Sequence, residues 1–158
     1  MTRGGGPEPR RYDVDELRRA VLEGRLSTLN GPFQELVGYH IRHDPAAGVH
    51  LELEVGERHM NPYGIAHGGV TLTLLDAAGG VACFFAAPDA IRIATIGLAA
   101  NFVRGVPPGR VVATAHLDGL GGAVAHASLS LRAGGLEGDL LATATASYRL
   151  FRERAVTA

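Results

Sequence analysis

Asn61-Pro62-Tyr63-Gly64-Ile65-Ala66-His67-Gly68-Gly69 runs into an apolar segment in which Asp76 is the only charged residue between His67 and Asp89. Two glycines at the start of a helix let a ligand approach the backbone closely. The first N–H groups of that helix lack internal partners and carry the positive end of its dipole. Together they suit a developing oxyanion, which is what acyl transfer requires. The plainer alternative is a tight loop-to-helix turn that does no chemistry. Asp76 adds weight to the first reading, because its neighbours are Leu72, Leu74, Leu75, Ala77 and Ala78. Burying an unpaired carboxylate costs several kcal/mol or forces its pKa upward, so such groups mark functional sites. The structural alternative is a hydrogen-bonded Asp on a narrow polar seam shared with Thr73.

Helix geometry constrains how these residues could cooperate. Gly69 and Asp76 are seven residues apart, about 10 Å along a helix axis. A carbonyl held at the Gly69 N–H must lie within about 3–3.5 Å of the attacking atom. His67 is nine residues from Asp76, about two and a half turns, and falls on the opposite face. A working site therefore takes Gly69 from one chain and Asp76 from another, most simply in a two-fold dimer with two equivalent sites.

Other reactive side chains carry less. Cys83, between Ala82, Phe84 and Phe85, reads as a small buried apolar residue with no activating partner. His40 and His43 lie three apart in an expected strand and project to opposite faces, while His50 belongs to the polar face of its own strand. With His59 they form no metal-ligand spacing, so no metal is expected. No P-loop or dinucleotide fingerprint occurs, and no cofactor is expected.

The elements that must position these residues are legible in outline. Residues 14–23 form a helix capped by Asp13, with Glu16 completing a capping box and Gly24 ending it. Val14, Leu17, Val21 and Leu22 make its apolar stripe. Val49, Leu51, Leu53 and Val55 alternate with His50, Glu52 and Glu54, the period of a half-buried strand. Asp44-Pro45-Ala46-Ala47-Gly48 is turn chemistry, so residues 36–43 are expected to pair with that strand as a hairpin. After a polar loop, residues 70–85 read as a helix apolar nearly all round, to be buried on most sides. Strands are expected over 91–104, 110–120, 124–132 and 140–151, separated by Pro107-Pro108-Gly109, Gly121-Gly122 and Gly134-Gly135. Short connections favour antiparallel neighbours. A sheet curled round one apolar helix buries that helix most simply, an α+β arrangement of the hotdog type.

Composition narrows the class. The 158 residues suit one domain: a leader over 1–11, a helix and linker over 12–30, and the main domain over 31–153. With 46% hydrophobic and 20% charged residues and a net charge of −1, nothing draws the chain to nucleic acid or an anionic membrane. The apolar run that includes Asp76 also holds glycines and is bracketed by turns, so no membrane span is expected. Met-Thr-Arg-Gly-Gly-Gly-Pro is not followed by an apolar signal core. A single cysteine fits a reducing compartment, and a cytoplasmic location is expected.

The pattern Asn61…Gly64…His67-Gly68-Gly69…Asp76 resembles the signature of the phenylacetate-degradation (PaaI-like) type of hotdog-fold acyl-CoA thioesterase, with Asn six before the His and Asp nine after it. The resemblance extends over residues 34–151. It implies hydrolysis of acyl-CoA to free acid and CoA, with Asp76 as nucleophile or general base and the Gly69 N–H polarising the thioester. It places His67 and Asn61 where they orient that turn, and Thr95 where a hydroxyl helps place water or substrate. It assigns Gly68, Phe102 and Arg104 to the CoA border, and Gly119, Leu120, Gly121, Gly122, Ala123 and Val124 to a turn along the pantetheine and nucleotide. Members share sites across a homodimer and often pair dimers into tetramers. Two departures touch CoA binding: Gly122 stands where a basic residue is common, and the proline usual after Arg104 is displaced to Pro107 and Pro108. An acyl-thioester hydratase or dehydratase, or a non-catalytic acyl-CoA-binding regulatory module, are the competing readings.

Overall fold

The computed structural model describes residues 14–25 and 31–152. The leader, the Asp13 cap and part of the linker lie outside the described residues, as does the side chain of Val14. The first helix, α1 (Val14–Leu22), closes where Gly24 takes a positive φ of 70° and its N–H reaches the Val21 carbonyl at 3.0 Å. Its buried face differs from the expected stripe. Arg18, Ala20 and Val21 are buried, whereas Leu22 is exposed.

Residues 36 and 37, expected in a strand, instead end a second helix, α2 (Pro32–Val37). Pro32 presets the backbone for a first helical turn, and Gly38 closes it at φ 86° with its N–H on the Gln34 carbonyl, 2.7 Å away. The hairpin therefore begins later, pairing β1 (His40–Asp44) with β2 (Gly48–Val55). Asp44 shapes its turn by accepting the Ala46 and Ala47 N–H groups, each at 2.8 Å. Leu51, Leu53 and Val55 face the core, as their alternation requires. His50, on the other face, is also buried rather than wet, with Glu52 at 3.4 Å.

The remaining elements are α3 (Gly68–Ala86), β3 (Ala90–Phe102), β4 (Gly109–Gly121), β5 (Val124–Ala133) and β6 (Leu140–Arg152). With β1 and β2 these strands form a six-stranded antiparallel sheet in the order β1-β2-β4-β5-β6-β3. The neighbour rule fails between β3 and β4, which are consecutive yet not paired. The Pro107-Pro108 connection carries the chain across, so that β3 pairs with β6 at one edge and β4 joins β2.

This curled sheet wrapped around α3 is the hotdog fold. Leu74, Leu75, Ala78, Val81 and Cys83 of α3 seal against the inward faces of Leu51, Ala113, Leu129, Leu131 and Tyr148. By length and apolar composition the helix would suit a membrane span, yet this face is sealed inside the sheet. Its burial is one-sided, not the nearly complete burial expected. Gly69 and Leu72 are exposed, and Thr73, Asp76, Ala77 and Gly80 are only partly covered. These positions recur every three to four residues and make one open stripe.

Candidate active site

Asp76 lies on that open stripe, at a cavity of about 400 Å³ lined also by Phe33, Tyr39, Phe84, Ile93, Thr95 and Tyr148. It is not the unpaired carboxylate expected from its neighbours. Thr95 donates its hydroxyl to Asp76 Oδ1 at 2.8 Å, crossing from β3 next to a bulge between Thr95 and Gly97. Such irregularities re-aim a side chain, and here one brings a hydroxyl to the carboxylate. Tyr148 donates its hydroxyl to the Asp76 main-chain carbonyl at 3.1 Å. Its ring fills a notch that exists because position 79 is glycine, since a Cβ there would sit 2.0 Å from the Tyr148 oxygen. Burial, and then the charge of Asp76, push the phenols of Tyr39 and Tyr148 above their ordinary range. Both therefore stay protonated at neutral pH, able to donate but not to act as bases.

The glycine turn is built separately. His67 is the N-cap of α3, and its Nδ1 accepts the Gly69 N–H at 3.0 Å. A thioester oxygen can take that N–H only by displacing the imidazole. Asn61 holds the preceding loop: its side-chain oxygen accepts the Tyr63 N–H at 2.9 Å, while its own N–H reaches the Ile65 carbonyl at 2.8 Å. His59, unassigned by the sequence, supports the loop from behind. Its Nδ1 accepts the Gly56 N–H, its Nε2 lies 2.8 Å from the Val37 carbonyl, and its own carbonyl accepts the His67 N–H.

Gly68 and Asn61 line a second hollow, of about 480 Å³, with Thr71, Phe102, Arg104 and Val106. The Phe102 ring covers Gly68, 3.6 Å from where a Cβ would stand. Arg104 pairs with Asp139 at 3.1 Å, and both are exposed. The turn that includes Gly119, Leu120, Gly121, Gly122, Ala123 and Val124 is at the other end of the sheet. Phe102 stands at the level of Leu131 through their common partner Ala142, and Val124 is seven residues further along β5. That separation is about 23 Å at 3.3 Å per residue. The missing basic residue at Gly122 has a neighbour in its place, because Arg152 donates to the Gly122 carbonyl while paired with Asp89.

The fold thus brings Asp76 and Thr95 together, and Asn61, Gly68, Phe102 and Arg104 together, but within one chain it leaves those groups in separate hollows. Phe84 lines the Asp76 cavity, Leu98 lines a hollow on the sheet, and Tyr63 is exposed. Burial pushes the Cys83 thiol up to about 11, which leaves it a poor nucleophile. Among the described residues no group of three or more His, Cys, Asp or Glu side chains is placed to hold a metal ion.

Comparison with known proteins agrees with the fold and bears on its class. The family model of the thioesterase superfamily matches residues 63–138, which span His67, Asp76, Thr95 and the β4–β5 turn but not Asn61, α1 or α2. No curated protein matches the sequence. Among solved structures, a thioesterase from Haemophilus influenzae superimposes with a TM-score of 0.71 at 19% identity, over 94% of this chain and 97% of its own. A Bacillus halodurans protein crystallised with CoA gives a TM-score of 0.71 at 22% identity, over 90% of this chain and 93% of its own. The PaaI protein of the phenylacetic acid degradation operon of E. coli gives 0.67 at 14% identity, over 87% and 93%.

Proposed function

We propose that this chain is a member of the thioesterase superfamily, of the phenylacetate-degradation type, and hydrolyses acyl-CoA to free acid and CoA. The observation that carries the reading is Asp76, oriented by the Thr95 hydroxyl at the wall of an aromatic-lined cavity large enough for an acyl group. In this reading Asp76 attacks the thioester carbonyl directly or takes a proton from an attacking water. In the second case the sulfur–carbon bond breaks and CoA leaves as the thiol with that proton. In the first, CoA leaves as thiolate from a mixed anhydride, which water hydrolyses to free acid and the Asp76 carboxylate, the released proton going to the thiolate. The Gly69 N–H, at the positive end of α3, takes the carbonyl oxygen in place of His67 Nδ1. His67 and Asn61 position the turn rather than react.

The placement of the residues supports a shared site. Asp76 and Gly69 stand seven residues apart on α3, and the hollow that Asp76 lines is distinct from the one lined by Gly68, the neighbour of Gly69. A two-fold dimer that faces the open stripe of α3 to its copy supplies Asp76 from one chain and Gly69 from the other, with pairing of dimers as the next level. The test mixes two inactive variants, Asp76→Asn and Gly69→Pro, the latter lacking the N–H in the first helical turn where proline is tolerated. A mixed dimer holds one site with both lesions and one with neither. Random mixing makes about half of the dimers mixed, so about a quarter of wild-type thiol release should return. Subunit exchange demonstrated by mass spectrometry with no return of activity refutes the shared site. No thiol release from any acyl-CoA by the wild type refutes the activity.

A further inference from the structure

Arg18 is a charged side chain with only 8% of its surface exposed, on a helix that lies outside the segment matching the family model. Its guanidinium reaches four carbonyls where α3 ends. Nε donates to Phe84 O at 2.8 Å, Nη1 to Pro88 O at 2.8 Å, and Nη2 to Ala87 O at 2.9 Å and Ala90 O at 3.4 Å. Asp15 of the same helix accepts from Nη1 at 3.4 Å. The carbonyls at a helix C-terminus lack internal partners and carry the negative end of the dipole, so a fork of N–H donors with a full positive charge satisfies both needs. The same guanidinium lies over the Phe84 ring, 4.4 Å from its centroid, while Phe85 meets that ring edge-on at 5.4 Å. Phe84 lines the cavity that contains Asp76.

We propose that Arg18 is a specificity-determining residue, which clamps the last turn of α3 and the Phe84 ring and so fixes the wall where the acyl group ends. The proposal rests on the reading of this cavity as an acyl site. Its consequence is a preference for short or compact acyl groups over long straight chains, enforced from outside the cavity by α1. Arg18 touches neither substrate nor reacting atoms in this role. It acts through Phe84.

Binding and turnover separate this proposal from the activity on which it rests. A series of straight-chain S-alkyl-CoA thioethers of increasing length, which cannot be hydrolysed, is titrated by calorimetry. The matching acyl-CoA esters are followed by thiol release. Wild type, Arg18→Met and Phe84→Ala are compared, with circular dichroism to establish folding. Both variants should raise the ratio of long-chain to short-chain affinity by about tenfold, the lower end of what one methylene is worth in an apolar pocket. An Arg18→Met profile that keeps the wild-type ratio while Phe84→Ala shifts it overturns the proposal. So does an equal weakening at every length, which is what a merely structural role predicts. If Arg18→Met does not fold, Arg18→Lys replaces it. One ammonium can neither reach all four carbonyls nor stack flat, so a smaller shift in the same direction is expected, and an unchanged ratio overturns the clamp. A thioether profile that shifts as stated without thiol release from any ester leaves the clamp standing and removes the hydrolase reading. Folded wild type that binds no thioether overturns both.

Discussion

Gly79 and Gly80 are adjacent in one helix, yet alanine should act on them with opposite signs. At Gly80 a Cβ meets nothing within 4 Å. Gly80→Ala therefore removes backbone freedom from the unfolded chain and should stabilise by about 0.5–1 kcal/mol. At Gly79 the same atom would lie 2.0 Å from the Tyr148 oxygen and 2.5 Å from its Cζ. Tyr148 is fully buried and cannot swing aside into solvent. Overpacking of that kind costs about 1–3 kcal/mol. Displacing the hydroxyl from the Asp76 carbonyl costs about 1 kcal/mol more. The propensity gain of about 1 kcal/mol offsets only part of this, so Gly79→Ala should destabilise by about 1–3 kcal/mol. In a chain of this size each kcal/mol moves Tm by about 2–4 °C. Urea and thermal unfolding of the two variants measure the contrast directly. Tyr148→Phe should cost about 1 kcal/mol alone, and it should soften but not abolish the Gly79→Ala penalty, because the ring carbons remain in the way. Two stabilised alanine variants would refute the notch, and with it the account of how β6 sets the turn of α3 that carries Asp76.

Further outcomes concern the two carboxylates Asp76 and Glu52. Asp76→Asn should lower kcat for acyl-CoA hydrolysis by at least about 10²-fold, and should also bring the Tyr39 phenol down toward its ordinary value without reaching it, since burial is the larger cause and the Asp76 charge the smaller. A difference titration against Tyr39→Phe reads this, and an unmoved Tyr39 would mean that Asp76 carries no charge in the cavity. Burial pushes the Glu52 carboxyl up, but Arg110 and His50 outweigh it and hold the group below its usual value. A carboxylate with a depressed folded pKa stabilises above its unfolded value, about pH 4.3, and loses that contribution as pH falls through the folded value. Urea midpoints should therefore drop less steeply with acidification in Glu52→Gln than in wild type, and parallel curves would show that the pair contributes nothing.

Much of the fold was legible because local patterns and turn chemistry agreed. The β2 alternation, Gly24, Gly122 and Gly134 at positive φ, and the Asp44 turn fix strands and breaks through backbone preferences that need no distant partner. The misreading at residues 36 and 37 has the same local character, since Gly31-Pro32 and Gly38 bracket a helix too short to show periodicity. The candidate site was legible as residue types. A lone Asp on an apolar helix after His-Gly-Gly marks a candidate, because a charge among leucines needs a reason to be there.

What the sequence determined by itself was most of the elements, the turns between them and the identity of the candidate residues. The tertiary structure decided which of these meet. Edge placement of β3 carries Thr95 to Asp76, nineteen residues away in sequence. The pairing of β6 with β5 and β3 puts Tyr148 into a notch that only Gly79 leaves open. Arg18, which looks like an ordinary surface charge on an amphipathic helix, is buried because the carbonyls ending α3 lie within its reach. Such contacts depend on strand order and register. Those are set by how a whole sheet closes on one helix, and no local run of residues encodes that closure.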